Sequence, residues 1–321
     1  MKILTPLTFL ATTVFAKNIL MSNDDGWAST NIRAFYYKLK EAGHNVYITS
    51  PVSQRSGYGG KFDIPESNVL EIDGEFSYPP AGSPAWGHEE FDDHIWYFNG
   101  TPASCIAFAF DYLLPKYFDN VTIDLVVAGI NEANNYGSYF TLSGTMGATY
   151  NAVYRGYPAI SFSASNWNNS FYKDNLDLND PLLESTIVAT KAVELVNQVF
   201  ESQGENPRAL GLGVGLNVNF PAVGYDDETC MDPKWTFTRI TGEAAAGADL
   251  QYDEKTNTFG WGDDQTWAPL TACYNGDCTL PSETYIIKYG KCQATISTFS
   301  IDFDANAALT SQVKDILNPL F

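Results

Sequence analysis

The apolar run at residues 19–21 is followed by the segment that most restricts the fold. Ile19-Leu-Met21 gives way at Ser22 to the turn Asn23-Asp24-Asp25-Gly26, and a helical pattern and a second apolar run come directly after. Ile32, Phe35, Tyr36 and Leu39 recur at helical spacing, so we expect a strand over 17–21, a helix over 32–43 and a strand over 45–49. A strand–helix–strand unit of this kind commits the chain to an α/β fold on a mostly parallel sheet.

The alternation continues. Residues 96–98 read as a strand, and Thr101-Pro102 opens a helix to Leu114, with Thr as cap and Pro at the first helical position. The continuous apolar run 123–129 suits a buried parallel strand. Residues 131–147 form a long, polar, Gly-rich turn, followed by a helix over 148–154 and a strand over 159–163. Beyond a polar link we expect a helix over 182–200, a strand over 212–220, and finally a strand over 295–303 and a helix over 305–317. The stretch 63–91, rich in Pro, Gly and acids, reads as an excursion with little regular structure. Residues 224–290 carry short aromatic pieces and most of the cysteines, which suggests hairpins or a small subdomain attached to the sheet.

A basic Lys2, an apolar run over 3–15 and Val14-Phe15-Ala16 together read as a secretory leader over residues 1–16, with the mature chain starting at Lys17. The run is too short for a membrane span. In an oxidising compartment Cys230, Cys273, Cys278 and Cys292 are expected to pair, in one of three connectivities, with Cys273 and Cys278 placed for a tight loop around Asn275-Gly276. Zinc is the rival reading of those four, disfavoured by their spacing and by only three histidines. Cys105 reads as a buried small hydrophobe. Asn120-Val-Thr122 and Asn168-Asn-Ser170 are glycosylation acceptors for an exported chain. The formal charge of −20 repels nucleic acid and anionic membrane, so neither is expected as a partner, and a phosphate site needs a cation to offset the field.

Three loops leave parallel strands on one side of the sheet, where α/β folds bind ligands. Asp24 and Asp25, with Asn23, are hard oxygen donors for Mg²⁺, Mn²⁺ or Ca²⁺; the same residues also suit an Asx turn in which Gly26 takes an unusual backbone angle. The second loop offers Arg55 for bidentate phosphate contacts and Ser56 as an oxygen donor. The third offers Asn131, Asn135 and then Ser143-Gly144-Thr145 at a helix start, a ready anion site that also has a plain use as a helix cap.

Read in order, the segments 19–26, Gln54-Arg-Ser-Gly57, Asn99-Gly-Thr-Pro-Ala-Ser-Cys105, 127–137, 143–145, 156–163 and Leu216-Asn-Val-Asn-Phe-Pro221 resemble the SurE-like survival-protein phosphatases and nucleotidases. The resemblance implies a three-layer, Rossmann-like mixed sheet over a core of about 17–221, a disulfide-bearing hairpin region of about 224–292 and a terminal strand and helix at 293–321. It implies one divalent cation, Mg²⁺ or Mn²⁺, held by Asp24, Asp25, Ser56 and Asn131, and dimers occur in the family. The chain departs from the family at Ser104, where Asp is usual, at Ala133, where Gly is usual, and at Tyr58-Gly-Gly-Lys61, where the family carries a His; Lys61 is a substitute cation there or an exposed loop lysine. The leader and extra cysteines are similar to the fungal acid-phosphatase branch.

The expected function is a secreted acid phosphatase or nucleotidase acting on small phosphate monoesters by metal-activated water. Asp24, Asp25, Asn23, Ser143, Gly144 and Thr145 are the expected catalytic set, and Arg55, Asn135 and Lys61 the substrate contacts. A carboxylate nucleophile at Asp25 is disfavoured, because the haloacid-dehalogenase-like phosphatases space their two acids as Asp-x-Asp. The rivals are a secreted nucleotide- or phosphate-binding module without hydrolysis and a structural wall protein.

Overall fold

The structure is a computed structural model that describes residues 16–247, 249–262, 265–266 and 268–320. Apart from Ala16, the expected leader lies outside the described residues. The strands are β1 (Asn18–Ser22), β2 (Asn45–Pro51), β3 (Trp86–His88), β4 (Ile95–Phe98), β5 (Leu125–Asn131), β6 (Ala159–Ser163), β7 (Val214–Asn219), β8 (Lys234–Thr238), β9 (Ala246–Gly247), β10 (Leu250–Asp253), β11 (Thr258–Trp261), β12 (Gln265–Thr266) and β13 (Gln293–Ser300). The helices are α1 (Thr30–Glu41), α2 (Pro102–Phe108), α3 (Leu114–Tyr117), α4 (Tyr139–Leu142), α5 (Gly144–Tyr154), α6 (Tyr172–Asn175), α7 (Glu184–Gln203), α8 (Ala268–Thr271), α9 (Glu283–Tyr289) and α10 (Ala307–Leu317).

Nine strands form one sheet in the order β3-β4-β2-β1-β5-β6-β7-β13-β8. The run from β4 to β7 is parallel throughout, while β3 and β13 pair antiparallel with β4 and β7, and β8 lies parallel to β13. The expected mixed, mostly parallel α/β sheet is therefore the observed one. Alternation along the strands makes the layers. Ile19, Met21, Val46, Ile48, Leu125 and Val127 face a core shared with α1 and α7; Leu20, Tyr47, Val126 and Ala128 face the opposite one, shared with α2 and α5.

Several boundaries differ from the sequence reading. Helix α5 begins at Gly144, four residues earlier than the expected 148, because Gly144 and Gly147 serve close packing and not flexibility. The excursion contributes the short strand β3, and Lys234–Thr238 joins the main sheet through β13. The rest of that region is hairpin, with β10 against β11 and β9 against β12. Cys230 pairs with Cys292 and Cys273 with Cys278, which removes all four from zinc binding, while Cys105 is free and buried. No helix among the described residues is long and apolar enough to cross a membrane.

The chain leaves β1 toward β2 on one side and returns to β5 on the other. Their carboxyl ends therefore flank the switch point where open α/β sheets bind ligands.

Candidate active site

Asp24 and Asp25 follow β1 at that switch point, and both are buried. Asn23 Nδ2 donates to Gly26 O (3.0 Å) and Gly26 has φ +103°, so the Asx-type turn and the carboxylate pair are one structure. The Asp24 carboxylate lies at the start of α5. Thr145 Oγ1 donates to Asp24 Oδ1, and the backbone N–H groups of Gly144 and Thr145 also favour its charged form. The anion at this helix start is thus the protein's own. A β-carbon on Gly144 would lie 2.8 Å from Asp24 Cβ and 3.0 Å from Arg55 O, so this approach requires glycine. Arg55 N donates to Asp24 O at 2.6 Å, which ties the second loop to the first.

Asn131 ends β5, where pairing with β6 shifts register between Ala128 and Asn131. Its Nδ2 donates to Ala133 O (2.6 Å), while its buried Oδ1 has no hydrogen-bond partner. Asp25 repeats the pattern: Oδ2 accepts from Glu132 N (3.1 Å), and buried Oδ1 has none. Burial pushes the Asp25 carboxyl well above the usual range, and the neighbouring charges of Asp24, Glu132 and Glu75 push the same way. Burial also raises Asp24 and Glu132. Arg33–Glu89, the ion pair buried on both sides among the described residues, lies elsewhere.

Two unpartnered hard oxygens among crowded acids fit a small divalent cation. Among the described residues no three His, Cys, Asp or Glu side chains gather as a metal centre. An ion here would draw on two carboxylates and on neutral oxygens. Ser56, the fourth expected ligand, stands exposed on the second loop next to Arg55.

The profile of the family described as "Survival protein SurE" matches residues 19–245. The chain belongs to the survival protein SurE family. It is 45% identical over 299 residues to a Yarrowia lipolytica protein named acid phosphatase, across 92% of this chain and 82% of that one. It is 30% identical over 210 residues to a Desulfovibrio desulfuricans protein named 5'-nucleotidase SurE, across 65% of this chain and 68% of the other. The crystal structure of the Aquifex aeolicus SurE protein superposes with a TM-score of 0.62 at 20% identity, over 93% of this chain and 99% of that one.

The other expected residues of this SurE-family site have definite partners. Ser143 Oγ caps α5, accepting from Met146 N at 3.2 Å. Arg55 is half-buried, with Nη2 3.4 Å from Asn99 Oδ1. Lys61 is exposed and pairs with Asp63 at 2.6 Å. Asn135 is buried, and its Nδ2 donates to Ser163 Oγ (2.9 Å), so its amide supports the loop.

Sequence reasoning missed the residues around these. Glu132, bridged to the second loop by Gln54 Nε2 (3.0 Å), faces both aspartates. Asn169 Nδ2 donates to Asp25 O (2.9 Å). Asn217 Nδ2 donates to Asn135 O (2.8 Å), Asn219 Oδ1 accepts from Asn135 N (2.7 Å), and Asn217 also reaches Glu283 Oε2 (3.1 Å). The available signal was Asn217-Val-Asn219 itself, two amides on one face of an otherwise apolar strand.

Proposed function

We propose that this chain hydrolyses phosphate monoesters with one divalent cation, Mg²⁺ or Mn²⁺, held by Asp24, Asp25, Asn131 and Ser56. The relatives named acid phosphatase and 5'-nucleotidase support the reaction class. The observation that carries the metal is the pair of buried oxygens without partners, Asp25 Oδ1 and Asn131 Oδ1, inside a cluster of acids. A divalent ion in such a set supplies charge neutralisation at the phosphoryl oxygens and lowers the pKa of a water molecule.

The protein's own groups position the rest. Thr145 and the α5 start hold the Asp24 carboxylate in one orientation, as supporting hydrogen bonds do around metal ligands. Arg55, next to Ser56 and tied by its backbone N–H to Asp24 O, carries the guanidinium placed to meet the ester's phosphate in a strongly acidic protein, with Nη2 3.4 Å from Asn99 Oδ1. Phosphate release from a chromogenic monoester with added Mg²⁺, lost with chelator and in Asp24→Asn, tests the reading. Tight phosphate binding with no release would leave a binding module instead.

We extend the proposal to location and assembly. Export is supported by the two disulfides and the sequence of the leader, and Asn120 and Asn168 are exposed for glycan attachment. A homodimer would cover the apolar residues Val313 and Ile316 of α10 or Phe259 and Trp261 of the β10–β11 hairpin, all exposed in the single chain. A monomeric mass in solution excludes it.

A further inference from the structure

Beside the catalytic turn, between the loop after β2 and the excursion, lies a groove of about 900 Å³. Arg55 and Tyr58 form one end of it, and Phe62, Ile64, Val69 and Ile72 form its apolar wall. The groove adjoins the site through Arg55, which lines it and donates its backbone N–H to Asp24 O.

Hydrogen bonds fix this wall in place. Thr101 Oγ1 donates to Lys61 O (2.6 Å) and accepts from Asp63 N (3.0 Å), and Ser104 Oγ donates to Asp63 O (2.5 Å). Further along, Leu70 N donates to Ser83 O and Leu70 O accepts from Gly82 N, both at 2.8 Å. Yet Phe62, Ile64, Val69 and Ile72 remain 51%, 62%, 42% and 76% exposed. Large apolar side chains held open to solvent in a concave wall next to a reaction centre are the mark of a ligand surface. Charge narrows the choice of ligand. The Lys61 ammonium is paired with Asp63 at 2.6 Å, and Glu66 and Glu71 also line the groove, so beyond Arg55 it repels anions.

We propose that the groove receives the leaving group of the phosphate ester and selects bulky, uncharged, largely apolar alcohols over small or anionic ones. Arg55 marks the phosphate end. This specificity rests on the hydrolase reading above.

The test compares 2-(1-naphthyl)ethyl phosphate with ethyl phosphate, whose leaving alcohols are similar in acidity, so that a difference reports binding of the alcohol portion. On the full chain with Mg²⁺, kcat/KM is expected to favour the naphthyl ester by about tenfold or more, the discrimination an apolar pocket supplies. The double variant Ile64→Ser/Ile72→Ser, at exposed positions, is expected to bring that ratio close to one. A ratio near one in the unaltered protein, or an unchanged ratio in the variant, overturns the proposal. If neither ester is hydrolysed, the hydrolase reading fails separately. The groove is then decided by calorimetry with 2-(1-naphthyl)ethanol: binding to the unaltered chain but not to the variant supports an apolar-alcohol site, and equal or absent binding overturns it.

Discussion

Two clusters of buried polar groups share one loop and follow opposite rules. At one end of residues 131–137, Asn131 joins Asp24 and Asp25, where acids face acids and the buried Oδ1 atoms of Asn23, Asp25, Asn131 and Asn169 have no partner. At the other end, Asn135 enters a network with Ser163, Asn217, Asn219 and Glu283. There every buried side-chain nitrogen or oxygen is satisfied: Asn217 Oδ1 accepts from Ser161 Oγ (2.9 Å), and Glu283 is held by Asn217, Ser297 and the backbone N–H of Gly137. An unpaired buried polar group costs about 1–3 kcal/mol, so a fold tolerates a cluster of them where something else completes it. The satisfied network is the scaffold, and the unsatisfied one is the site.

The largest expected contrast comes from removing one acid in each. Asp25→Asn should reduce turnover by more than the roughly 10–100-fold that loss of a supporting partner brings. The melting temperature of the chelator-treated protein should stay unchanged or rise, because an amide oxygen still accepts from Glu132 N and a carboxylate crowded by other acids is gone. Glu283→Ala should lower stability by about 3 kcal/mol by stranding Asn217 and the Gly137 N–H in the interior, with a smaller loss of turnover per folded molecule. Denaturant unfolding and kinetics on both variants check the crossing pattern; equal effects of both substitutions on stability would erase the distinction.

A smaller effect comes from pH. Burial pushes the Glu283 carboxyl up to about 8 and that of Glu184, which anchors Ser165, up to about 7, against a usual 4.5. In each case the folded chain holds a proton that the unfolded chain has lost. Stability from these protons is complete below pH 4.5 and fades as pH rises through about 7 for Glu184 and about 8 for Glu283. Each group adds a slope of at most about 1.4 kcal/mol per pH unit within its window. Melting temperature measured from pH 4 to 9 should decline through that range, and Glu283→Gln should flatten its share. A protein most stable at alkaline pH would show that the network holds the ionised acid.

Much of this was legible in the sequence, for a physical reason. The unit from β1 to β2 shows because apolar periods of two and of 3.6 are local properties, and Asp24, Asp25, Arg55 and Asn131 show because strand ends of a parallel sheet share one rim. What depended on distant partners was hidden. Gly144 and Gly147 read as loop until Asp24 and the Gly59 carbonyl are seen against them. The Lys234–Thr238 strand exists through pairing with Gln293–Ser300, more than fifty residues on. Glu283 is one acid among many in an acidic, cysteine-bearing segment until the fold sets it against Asn217.

The smallest test concerns Ser104, where the sequence resemblance implies Asp. Its hydroxyl accepts from Thr101 N (2.9 Å) and lies 2.5 Å from Asp63 O, to which it donates. A carboxylate there keeps the first bond, since an acid serves as well as an alcohol in accepting from a helix-cap N–H. It cannot supply the second, and would set a negative oxygen against the Asp63 carbonyl. Ser104→Asp should therefore cost about 1 kcal/mol, while Ser104→Ala should cost a similar amount by removing the nearer acceptor of Thr101 N and leaving it Asp63 O at 3.3 Å. The two variants separate at the groove: Asp displaces the 61–63 wall by repulsion, whereas Ala only releases it. The naphthyl-to-ethyl preference should then fall further in Ser104→Asp than in Ser104→Ala, at equal stability. An unchanged preference in both would mean that the serine serves the helix start alone, and that the wall of the groove draws its position from Thr101 without it.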